Sequence, residues 1–110
     1  MKADKLDYLT RLQFAILQAH DCDAVHNQTV HVHEIFEEKT VWKGEVEVFD
    51  LEGHAEAKKC YAWAYEAKGH GEKIVIVLEK QLVNSPRLAV KAAIYFGAQQ
   101  APHTRPDSQA

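Results

Sequence analysis

Two histidines one residue apart are the plainest chemical signal in this chain. His31 and His33 flank Val32 in the run TVHVHEIFE, which has the residue types of a strand. On a strand, alternate side chains leave from one face, so both imidazoles could reach a single divalent metal. Glu37 follows as a possible third ligand, and His54 is a candidate fourth. The competing expectation is a polar strand surface, which Glu34, Glu38, Glu45 and Glu47 nearby fit equally well. The chain calls for no cofactor beyond that candidate divalent metal.

The second signal is a stripe of rings. Over CYAWAYE, Tyr61, Trp63 and Tyr65 share one face of a strand, while Cys60, Ala62 and Ala64 share the other. Such a stripe can form a dimer interface. With Trp42 from the preceding strand it can instead line a pocket for a small apolar ligand. Stacking of nucleic-acid bases needs basic residues beside the rings, and the neighbouring strands are acidic.

No residue is placed as a catalyst. Cys22 and Cys60 lie in no nucleophile context, Ser85 reads as a helix cap, and no phosphate-binding or dinucleotide fingerprint occurs. In the polar stretch HDCDAVHNQ, the residues His20, Asp21, Cys22, Asp23 and His26 are metal-ligand types without close ligand pairing. It reads as a solvated loop.

The elements that must position these residues follow from their patterns. Lys5 to His20 reads as an amphipathic helix with Asp4 as its cap. Strands are expected at Thr29 to Glu37, Thr40 to Leu51, Cys60 to Glu66 and Lys73 to Lys80. In the second, Lys43, Glu45 and Glu47 face away from Trp42, Val46 and Val48, and then Phe49 and Leu51 follow the charged set. That switch predicts a bulge or strand end near Phe49–Asp50, with Gly44 a further bulge position. Glu52 to Lys59 suits one helical turn. Between the last two strands, Lys68-Gly69-His70-Gly71-Glu72 supplies the glycines a hairpin turn needs. Ser85-Pro86 opens a second helix over Arg87 to Phe96, with Gly97 as its cap.

The expectation is an α+β fold: a four-stranded antiparallel meander flanked by an N-terminal and a C-terminal helix, with both helices on one sheet face. Residues 1–98 form one domain, and 99–110 (QAPHTRPDSQA and the preceding Gln) form a disordered tail. The strand KIVIVLEK is apolar on both faces, which predicts a central position with both sides covered. If the helices take one face, a second copy can cover the other, so a homodimer through the sheet is expected.

Composition narrows the rest. At 110 residues with a net charge of −3, this is one domain without the basic character of a nucleic-acid binder. No apolar run suits a membrane helix, the N-terminus lacks the apolar core of a signal peptide, and two cysteines make no disulfide framework. A cytoplasmic location is expected.

Partial resemblances add to this. The spacing H-x-H-x3-E-x6-G over His31 to Gly44 resembles the first metal motif of the cupin family, which implies His31, His33 and Glu37 as ligands. Four strands are too few for that family's barrel. The order of elements resembles loosely a double-stranded RNA-binding domain, without the lysine cluster at the start of the last helix. The hairpin YAWAYEAKGHGEKIVIVLE is similar to the last hairpin of nuclear-transport-factor-2-like folds, which implies a ligand or isomerase pocket. VWKGEVEVFDLEGHAEAKKCYAWAY with NSPRLAVKAAI resembles short uncharacterised bacterial proteins and implies no activity. The leading expectation is a non-enzymatic binding or assembly module.

Overall fold

The computed structural model describes residues 2–100, with side chains over 4–94. Helix α1 (Lys2–His20) leads into strands β1 (Asp23–Phe36), β2 (Lys39–Glu52), β3 (Lys59–Ala67) and β4 (Gly71–Leu78), and helix α2 (Pro86–Gln100) follows. The strands form one four-stranded antiparallel sheet in the order β1-β2-β3-β4. The α+β meander is as the sequence pattern predicts.

The layering differs from the expectation. The helices lie on opposite faces of the sheet. Leu12 and Ile16 of α1 pack on the small face of Cys60 and Ala62, with Phe49 beside them. Ala89 and Val90 of α2 pack on the other face, against Tyr61, Trp63, Val46 and Val48. Short side chains on β3 let α1 approach closely enough for Tyr8 Oη to accept a hydrogen bond from Ala64 N–H at 3.0 Å. Each face is therefore covered within one chain, and a second copy is not needed to cover either.

Local irregularities also moved. β1 starts at Asp23, so most of the stretch that reads as a loop is strand. The bulge expected at Phe49–Asp50 lies on the neighbouring strand. His26 pairs with Phe49 and Gln28 with Val48, leaving Asn27 as the extra residue. There the Asn27 side-chain amide donates to Asp50. Gly44 is no bulge. It pairs regularly with Val32, and the Trp42 indole lies over it, 3.1 Å from where a Cβ would stand.

The connectors obey simpler rules. Glu37 and Glu38 form the β1–β2 turn with φ of 52° and 67°. A three-residue turn, Lys68 to His70, joins Ala67 to its partner Gly71, and Gly69 and Gly71 take positive φ. Residues 53–58 form no helical turn; His54 Nδ1 accepts instead from the Glu56 and Ala57 N–H groups. Ser85 caps α2, its Oγ accepting from Leu88 N–H at 3.2 Å. Asp4 lies inside the first turn of α1 rather than before it. α2 runs past Gly97 and includes Gln99 and Gln100. The rest of the expected tail, 101–110, lies outside the described residues. Among the described residues no helix is long and apolar enough to cross a membrane.

Candidate functional site

The apolar strand expected at the centre of the sheet stands at its edge. β4 pairs with β3 alone. Its residues Ile74 to Leu78 are all half-buried, whereas β2 and β3 are fully buried over Val46–Phe49 and Cys60–Trp63. A cleft of about 770 Å³ runs along this edge. One wall is α2, through Val90, Ala93 and Ile94; the sheet supplies Val75 and Val77. The cleft also reaches Ile76 and Leu78 on the opposite sheet face, beside His20. It thus wraps the free edge of β4 rather than sinking into one face. Trp42, Trp63 and Tyr65 close one end, and Lys80 stands at the rim.

The rings come together there for a structural reason. β2 and β3 pair only between Glu47–Asp50 and Lys59–Ala62. Beyond Glu47 the two hairpins diverge, and the Trp42 and Trp63 rings fill the fork edge to face, 5.4 Å apart. A smaller cleft of about 360 Å³ opens in that fork, lined by Tyr8, Gly44, Tyr65 and both tryptophans. Tyr65 is 50% exposed and reaches both clefts. Tyr61 is 2% exposed and belongs to the core beneath α2, not to either cleft.

His31, His33 and Glu37 are not drawn together. His31 is exposed, with Nδ1 3.9 Å from Glu45. His33 Nε2 and Thr40 Oγ1 share a 2.7 Å hydrogen bond. Glu37 sits in the turn rather than on the strand face, and His54 serves its own loop. Among the described residues no three His, Cys, Asp or Glu side chains converge in a way that could hold a metal ion.

The sequence pattern missed two buried carboxylates. Glu47 has no exposed surface. It accepts from Lys5 Nζ at 2.6 Å, Thr29 Oγ1 at 2.5 Å and His26 Nε2 at 2.9 Å. Burial pushes its carboxyl up, but these donors outweigh burial and hold it below the usual carboxylate value. Neither cleft is lined by Glu47; the cluster fastens α1 to the β1–β2 hairpin. Glu34, the lone charge on the apolar face of β1, pairs with Arg87 at 3.1 Å and Lys91 at 3.6 Å, and so ties α2 to the sheet. The free thiols Cys22 and Cys60 are buried. Burial, with Cys22 adding to it, pushes the Cys60 thiol up to about 12, which makes it a poor nucleophile.

No protein-family model, no curated protein and no solved structure matches this chain.

Proposed function

We propose that this protein is a non-enzymatic binding and assembly module that takes an extended polypeptide strand along the free edge of β4. One observation carries this reading: a strand apolar on both faces forms a sheet edge, and the cleft beside it is lined from both faces. In strand addition, edge main-chain groups supply hydrogen bonds, and alternate side chains of the guest fall on the two faces. Val75 and Val77 would receive one set; Ile76 and Leu78 would receive the other. Buried free thiols at Cys22 and Cys60 support a reducing compartment such as the cytoplasm.

The test is amide hydrogen exchange with a nine-residue peptide alternating valine and threonine. The peptide should slow exchange at Ile74, Ile76 and Leu78. No change at these amides at saturating peptide, in protein dilute enough to be monomeric, would overturn the reading.

A second reading rests on the fork between β2 and β3. Its cleft, flanked by Trp42, Trp63 and Tyr65, supports binding of a small aromatic molecule. Titration with indole should shift the near-ultraviolet circular dichroism of the Trp42–Trp63 pair; an unchanged spectrum counts against it.

A further inference from the structure

Resting on the strand-addition reading, we propose that the occupant of the edge is β4 of a second copy, paired antiparallel about a twofold axis at Ile76.

The hydrogen-bond phase permits this register. Glu79 N–H donates to Lys59 O at 2.9 Å. Antiparallel ladders alternate between bonded and non-bonded pairs. Odd-numbered residues of β4 therefore direct their main-chain groups at β3, and Glu72, Ile74, Ile76 and Leu78 direct theirs outward. When two such edges meet, outward groups face each other only if even residues meet even ones. A twofold at Ile76 does this, setting Ile76 opposite Ile76 and Ile74 opposite Leu78 of the second copy. The free span ends at Lys80, whose N–H and C=O are engaged by Val83.

Charge then selects this register among those the phase allows. The segment reads Glu72-Lys73-Ile74-Val75-Ile76-Val77-Leu78-Glu79-Lys80. About Ile76, Lys73 meets Glu79 and Glu72 meets Lys80, at both ends of the ribbon. Moving the axis by one residue sets Lys73 against Val77, or Glu79 against Val75. The segment is thus self-complementary in charge as well as in apolar pattern. The partner also accounts for the composition of β4. Joined in this way, the two sheets become one, and β4 becomes the interior strand that its residues describe.

The other edge is guarded. β1 carries the Asn27 bulge and exposed Asp23, His31 and His33 along its length, devices that discourage edge pairing. The β3–β4 register has no such irregularity.

The experiment is the solution mass by light scattering over a dilution series, for the wild type, Lys73→Glu, Glu79→Lys and the double variant. The wild type should show twice the 12.5 kDa chain mass. Each single change sets like charges opposite each other twice across the axis and should weaken the dimer about tenfold. The double variant should restore it, because the pairs are then reversed rather than broken. A wild-type monomer at high micromolar concentration overturns the second copy. If the valine–threonine peptide still protects the edge in that monomer, strand addition stands with a different guest. A dimer insensitive to both single changes overturns the register.

Discussion

Glu47 shows how far a single residue can depart from its sequence context. Its alternation with Glu45 and Lys43 marks a solvent face, yet it is buried, because Lys5, 42 residues earlier, is placed over it. No local pattern encodes a partner that distant. The carboxyl binds its proton more weakly folded than unfolded. Its stabilisation is therefore complete above the ordinary carboxylate range and is lost as pH falls through the lowered folded value. Glu47→Gln should flatten that part of the acid limb in denaturant unfolding. At neutral pH it should cost about 1–3 kcal/mol, since the half-exposed Lys5 can return to water. A variant with an unchanged acid limb would deny Glu47 this role. Cys60, fully buried with its thiol pushed up to about 12, should react with a thiol reagent only as fast as the chain opens. Labelling rates that rise with denaturant check this; fast labelling of the folded chain would contradict it.

At the scale of elements, legibility followed the clarity of the signal. Ser85-Pro86 is a local code, and Ser85 caps α2 as written. Ser85→Ala should lower stability by about 1 kcal/mol, measured by denaturant midpoint; no change would mean the cap contributes nothing. Lys68-Gly69-His70-Gly71 likewise specifies its turn, since Gly69 and Gly71 take positive φ. The start of β1 was hidden. Asp23 to Gln28 is polar because an edge strand exposes much of its surface, so it lacks the apolar alternation that marks a half-buried strand. The break in pattern on β2 was real, but its cause lay elsewhere. Phe49 and Glu47 share one face, and the irregular residue is Asn27 across the ladder. A face pattern reports its neighbours as well as its own strand. Gly44 was legible as unusual but not as to why. What it supplies is room for the Trp42 ring.

For the whole molecule, the α-β-β-β-β-α order could be read from the chain, but the side each helix takes could not. Both helices have apolar stripes, and nothing local says which sheet face each will cover. The ring-bearing residues were legible as a group. Three of them, Trp42, Trp63 and Tyr65, meet at one end of the cleft, and Tyr61 went to the core. The double-sided apolar pattern of β4 was also legible, and it becomes informative because the fold leaves that strand at the edge. Residue-resolved amide hydrogen exchange of the full chain across protein concentration tests β4 as the binding edge. Protection at Ile74, Ile76 and Leu78 should rise with concentration. Val75 and Val77, already bonded to β3, should stay protected throughout, and the outer amides of β1 should stay unprotected. Fast exchange at Ile74, Ile76 and Leu78 at every concentration, with or without peptide, would contradict the assignment of β4 as the binding edge.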